Sequence, residues 1–117
     1  MKDNPLSDKI RLLHILDAID EIEAYLSGLN LDAFLENSLV KNATLMQIQI
    51  IGEATSHINA SLKQQYKNVE WQKIKGTRNI IAHEYFGIDY EIVWEIAINN
   101  LPDLKEKIQV IINEIPE

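Results

Sequence analysis

Apolar residues recur at spacings of three and four through the first part of the chain: Leu12, Ile15, Leu16, Ile19, Ile22 and Leu26. That period puts them on one face of an α-helix, and a strand cannot use it. The pattern returns at Ile48, Ile51, Ala54, Thr55, Ile58 and Leu62, and again at Leu101, Leu104, Ile108, Ile111 and Ile115. No stretch sustains the alternation of a half-buried strand. Punctuation is sparse, with four Gly and three Pro in 117 residues, so the helices should be long.

Local signals place the boundaries. Asn4 can cap the first helix, with Pro5 at its first position, and Gly28 ends it. A short piece follows at roughly Leu31 to Glu36. A second long helix is expected from about Val40 to Leu62 or Tyr66. Asn68 looks like the cap of a segment that begins near Trp71, carries Ile74, Arg78, Ile81 and His83, and ends by Gly87. Gly76 should either kink that segment or split it. Asp89 can cap the next helix, with Ile92, Val93, Ile96 and Ala97 inward, and Pro102 starts or kinks the last. The predicted fold is a single all-α domain over 1–117, an antiparallel bundle of four long helices plus a short extra one.

Several function classes drop out early. With no Cys there is no disulfide, no thiol nucleophile and no Cys-based zinc site. His14, His57 and His83 lack ligand spacing, so no metal is expected. A Gly-rich phosphate loop is absent, and no cofactor is expected. Apolar runs extend only a few residues, far short of a membrane span of ~20. Asp3, Asp8, Asp17, Asp20, Glu21 and Glu23 interrupt any leader-like stretch, so the chain reads as cytoplasmic.

Charge is unevenly spread. Lys63, Lys67, Lys73, Lys75 and Arg78 face only Glu70 in the window 63–78, a net +4, while the other 101 residues carry −11. A solvated basic face and a phosphate-attracting surface both fit that pattern. The total of −7 argues against a dedicated basic DNA-binding domain.

The window runs into Arg78-Asn79-Ile80-Ile81-Ala82-His83-Glu84-Tyr85. A His with an ordinary pKa of ~6.5 can take the proton of a ribose 2′-hydroxyl or protonate a leaving oxygen. An Arg can grip phosphate with two parallel hydrogen bonds and stabilise developing charge. Asn79 lies four residues from His83 and shares its face. Arg78 and His83 lie five apart, about 140° around an ideal helix. They converge only if Arg78 reaches across, the helix end unwinds, or a second subunit completes the site.

This stretch resembles the R-x-x-x-x-H-x-Y motif of the HepT family, a branch of the HEPN superfamily. Ile51-Gly52-Glu53-Ala54 is similar to that family's Gly-Glu-Ala segment. Trp71 through Arg78 resembles its W-x-x-I-x-G-x-R lead-in. Tyr85-Phe86-Gly87-Ile88-Asp89 with Val93-Trp94 resembles its continuation. The likeness covers roughly residues 8 to 112. It implies a helical homodimer that acts as the toxin of a toxin–antitoxin pair, a metal-independent endoribonuclease with Arg78 and His83 as catalytic groups in a cleft between two chains. Asn79 and Glu53 would support them, Glu53 by holding the motif helix, and Lys73 and Lys75 would contact RNA. The antitoxin would be an MNT-type nucleotidyltransferase that silences the toxin by transferring AMP to Tyr85. The alternative is a non-catalytic HEPN module, a binding partner or substrate of such a nucleotidyltransferase. Trp71 and Trp94 are expected as packing anchors rather than base-stacking platforms.

Overall fold

The computed structural model describes residues 5–83 and 87–115, with side chains described for 7–77 and 87–115. Every regular element among them is helical. α1 spans Pro5–Leu26, α2 Leu31–Glu36, α3 Ser38–Ser56, α4 Ala60–Gln65, α5 Trp71–His83, α6 Tyr90–Glu95 and α7 Leu101–Glu114, and a π-helical turn at Ile96–Asn100 joins the last two. The expected all-α bundle with four long helices, α1, α3, α5 and α7, is what forms. α3 packs against both α1 and α5, while α7 lies along α1.

The periodic stripes build the core. Leu12, Ile15, Ile19 and Ile22 of α1 are buried, and they meet Ile48, Ile51 and Ala54 of α3 and Leu104, Ile108 and Ile111 of α7 in one cluster. Each of the leucines and isoleucines, fully buried, contributes about 1.5–3 kcal/mol. Leu16 and Ile115 are only partly covered. Ile92, expected inward, is 55% exposed. Val93 and Ala97 take the core positions of their segment instead.

α2 is a plug. Its Phe34 is fully buried, and its ring lies 5.2 Å from that of Trp94, tilted by 46°. Asn30 and Asn37 supply the caps on either side of it. Asn30 Oδ1 accepts from the Ala33 amide at 2.9 Å, and Asn37 Oδ1 accepts from the Val40 amide at 3.0 Å. Each satisfies an N–H that a helix start leaves without a partner. Gly28, at φ +80°, makes the left-handed turn that ends α1, as expected.

Three boundaries differ from the sequence reading. The second long helix ends at Ser56, not near Leu62 or Tyr66, and α4 is a separate short helix. Asp8 of α1 is the cause. Its buried carboxylate accepts from the Asn59 amide at 3.1 Å and from Asn59 Nδ2 at 3.1 and 3.2 Å. Asn59 takes extended backbone to make those bonds and so interrupts the helix. Asn68 does not cap α5, because the helix begins at Trp71 and its first turn closes on the Glu70 carbonyl, which lies two residues past Asn68 and accepts from the Ile74 amide at 3.1 Å. Asp89 does cap α6, through its Oδ1 and the Glu91 amide at 3.0 Å. The last two expected helices are one helical rod, in which the Leu101 amide reaches back five residues to Ile96. Pro102 lies just past that turn. Its ring would meet the Ile98 carbonyl in a continued α-helix, and the wider turn avoids it. The Asn4 cap lies outside the described residues.

Gly76 neither kinks nor splits its segment: α5 runs through it. A Cβ built there meets nothing within 4 Å. Gly76→Ala should therefore stabilise the protein by roughly 0.5–1 kcal/mol, the helix-propensity difference, as a higher midpoint in urea unfolding.

Candidate functional site

The motif occupies the second half of α5. Its backbone stays helical from Arg78 through His83, so unwinding between them does not bring the two positions together. They stand about 140° apart around the axis and about 7.5 Å apart along it. The midline of that arc passes close to position 75, so Lys75, Arg78, Asn79 and His83 belong to one broad face. The side chains of Arg78, Asn79 and His83, and all of Tyr85, lie outside the described residues.

The remaining expected site residues lie on α3 and on both sides of α5. Glu53 is on α3, the helix against which α5 packs, and its Oε2 lies 2.9 Å from Nε2 of His57 one turn later. His57 ends α3. Lys73 is exposed, with Nζ 3.8 Å from Glu70. Two residues of helix rotate it about 200° from Lys75, to the opposite side of α5. Lys75 is exposed on the motif side. Trp71 is buried, with Nε1 donating to the Tyr66 carbonyl at 3.0 Å, and Trp94 packs on Phe34, so both tryptophans are packing anchors.

The side of α5 away from the motif opens on an apolar cleft of about 630 Å³. Ile48 and Ile51 floor it, Ile74, Ile92, Ile96 and Leu104 wall it, and Glu70, Lys73, Asp103 and Lys107 rim it. Lys107 and Asp103 pair at 3.0 Å. Sequence periodicity missed this feature, because a gap between two helices leaves no mark in the spacing of either. Ile92, expected inward, lines this cleft instead.

A second depression lies at the α4–α5 corner, lined by Lys63, Gln64, Lys67, Gln72 and Lys73 over Trp71. Lys63 is half-buried there. Burial holds its ammonium below the usual lysine range, repulsion from Lys75 lowers it further, and Asp8 partly offsets both. Lys63 was visible in the sequence only as one of five basic residues. Its approach to Lys75 depends on where α4 turns. Among the described residues no three His, Asp or Glu side chains gather as a metal site, and no described helix is long and apolar enough to cross a membrane.

A family model described as "Ribonuclease HepT-like" matches residues 15–111. The chain is 31% identical over 103 residues to "Putative RNase MJ1380" of Methanocaldococcus jannaschii, covering 88% of this chain and 94% of that one. It is 29% identical over 103 residues to "Probable ribonuclease HepT" of Thermococcus cleftensis, covering 88% and 94%. A further Methanocaldococcus jannaschii protein, "Gamma-glutamylcyclotransferase and putative RNase MJ0434", is 34% identical over 107 residues. There the match covers 92% of this chain and only 48% of the relative. No solved structure matches the chain.

The coupling between the two lysines can be checked directly. Lys75→Ala removes a like charge, so the Lys63 pKa should rise. It should stay below the ordinary lysine range, because burial is the larger cause and persists. Titration of the Lys63 side chain followed by NMR reads this, and an unmoved pKa would mean the two ammonium groups do not meet.

Proposed function

Since the chain belongs to the HepT-like ribonuclease family, we propose that it is a metal-independent endoribonuclease acting on RNA through Arg78 and His83. The observation that carries the reading is the family match across the ordered motif, on a helix that stays regular through both positions. The reaction is a transphosphorylation. A base removes the 2′-hydroxyl proton, the oxygen attacks the adjacent phosphorus, and the 5′-oxygen leaves with a proton from an acid. The products are a 2′,3′-cyclic phosphate and a free 5′-hydroxyl. Arg78 neutralises the charge that builds on the phosphoryl oxygens, and Asn79 orients the imidazole one turn away. Glu53, on the helix beneath, helps to hold α5 in place.

One imidazole cannot be base and acid in the same step. A pair of chains supplies two, one neutral and one protonated, and lets an Arg78 of one chain meet a His83 of the other across the 140° gap. Exposed apolar residues support such pairing. Leu39, Met46 and Ile50 form a stripe on α3 opposite its buried face, and they are 79%, 56% and 38% exposed. The stripe continues at helical spacing into Glu53 and His57. We assign the homodimer contact to this face.

The same reading makes the protein a toxin whose nucleotidyltransferase antitoxin joins AMP from ATP to the Tyr85 hydroxyl, releasing pyrophosphate. A nucleotide two residues from His83 would fill the cleft and repel RNA phosphate. Cleavage of RNA by the purified protein in EDTA tests the central claim. His83→Ala should lower the rate by about 10²–10⁴ and Arg78→Ala by about 10²–10³, with helical content and dimer mass retained. Tyr85→Phe should cleave as the wild type does and resist silencing by the nucleotidyltransferase with ATP. No cleavage by wild-type protein shown free of AMP by intact mass would instead favour a non-catalytic partner module.

A further inference from the structure

Three basic residues from separate pieces of chain meet at the α4–α5 corner. Lys63 belongs to α4, Lys67 to the turn after it, and Lys73 to the first turn of α5. All three line the depression there, together with Gln64 and Gln72. The carboxylate among the described lining residues is Glu70. It lies 3.8 Å from Lys73, and the two side chains are 68% and 71% exposed. An exposed pair at that distance holds a lysine only weakly. Among the described residues, Lys63 and Lys67 take part in no ion pair. Three ammonium groups against one carboxylate leave this lining at +2, on a chain of net −7.

Folding makes the cluster. The Asp8–Asn59 clamp sets the start of α4, and α4 with its following turn carries Lys63 and Lys67 to the start of α5. Gathering like charges costs free energy unless an anion lies among them. Ammonium and amide groups are hydrogen-bond donors suited to phosphate oxygens.

The depression also connects with the motif. Gln72, Gly76, Asn79 and His83 follow one another at spacings of four, three and four, so their positions form a line along α5 within about 60° of arc. Gly76 puts no side chain on that line, and a Cβ built there meets nothing within 4 Å. Gln72 and His83 stand about 16.5 Å apart along the axis. A phosphate held at the corner is therefore a different one from the phosphate at His83, further along the same strand.

We propose that Lys63, Lys67 and Lys73, with Gln64 and Gln72, form a subsite for the phosphodiester backbone of single-stranded RNA, remote from the point of cleavage and joined to it along the line Gln72–Gly76–Asn79–His83. The inference rests on the ribonuclease reading and deepens it. A single strand can bend into a concave corner and on along a helix, and a positively charged groove is what tracks its backbone. Contacts this far from the reacting bond hold substrate and transition state alike, so they set affinity and leave the chemical step unchanged. They read backbone and not sequence.

The test has two readouts on the full-length protein. The first is binding of a fluorescent 2′-O-methyl RNA 12-mer, which has no free 2′-hydroxyl to attack with, followed by anisotropy across salt concentrations. Each single-strand phosphate contact contributes about 0.7 to the slope of log K against log salt, roughly fivefold in affinity at 0.1 M salt. Lys67→Gln and Lys73→Gln should each lower the slope by about 0.7, and the two together with Lys63→Gln by about 2. Lys41→Gln, which removes a charge over the Tyr90 ring, should leave it unmoved. Lys67 and Lys73 are exposed, so their variants remain informative if Lys63→Gln unfolds. The second readout is cleavage of an unmodified 12-mer, in which the Lys67 and Lys73 variants should each raise KM about fivefold with kcat unchanged. Wild-type cleavage with unchanged slopes in both variants would overturn the subsite and spare the ribonuclease reading. A fall in kcat with KM unmoved would overturn it by placing these lysines at the cleaved phosphate. Lysine-dependent binding without cleavage would keep the subsite and remove the ribonuclease reading, and absence of both binding and cleavage in the wild type would remove the two together.

Discussion

A buried carboxylate near the start of the chain decides where its middle turns. Asp8 accepts three hydrogen bonds from Asn59, 51 residues later. Once those groups are withdrawn from water they must stay paired, since a buried polar group without a partner costs about 1–3 kcal/mol. The bond set pins the beginning of α1 to the end of α3. It also forces the break that makes α4 a separate element. Without it the stripe Ile48 to Leu62 could run as one helix, and Lys63 would travel with that helix instead of folding back toward α5.

α3 carries the consequences. It packs against both α1 and α5, with Ile48, Ile51 and Ala54 in the shared core. Ionic ties then close the bundle from outside: Lys105 of α7 reaches Asp20 and Glu23 of α1, each at 3.0 Å, and those carboxylates hold its ammonium above the usual lysine range. Such exposed pairs contribute little alone. What positions the motif is the apolar contact between α3 and α5, helped by Trp71 anchored at the first turn of α5. Rigid helices on both sides give the motif face its fixed distance from the α4 lysines.

Much of this was legible in the sequence. The stripes of α1, α3 and α7 named the larger part of the core, because helical period and burial are the same signal in an amphipathic helix. Gly28, Asp89 and the short α2 were found from local chemistry. The missed features depend on distant partners. Asn59 is a cap-type residue, but its partner Asp8 lies 51 residues earlier and cannot be read from the local sequence. Phe34 reads as one aromatic residue in a six-residue helix, and its role appears only when Trp94 arrives 60 residues later. Asn68 has the right chemistry for a cap, but the helix starts two residues too far on for its side chain to serve. Of the candidate site, the ordered motif and the basic window were visible. The split of the lysines between two sides of α5 was not drawn from them, since it needs the position of α4 as well as the helical period.

The underwound turn at Ile96–Asn100 has a meaning for how chains of this kind can change length. An extra residue in one turn shifts the phase of everything after it by about 100°. The two halves of the rod use that shift, for α6 lies against α2 and α3 while α7 lies against α1. Deleting a single residue inside 96–100 would restore ordinary winding and keep the Leu104–Ile108–Ile111 side in phase, but it would also set the Pro102 ring against the carbonyl four residues before it. The same deletion at the middle of α7 would swing the residues beyond it off α1. The wide turn and Pro102 therefore go together: a chain one residue shorter at 96–100 can keep the same bundle only if the proline is replaced as well.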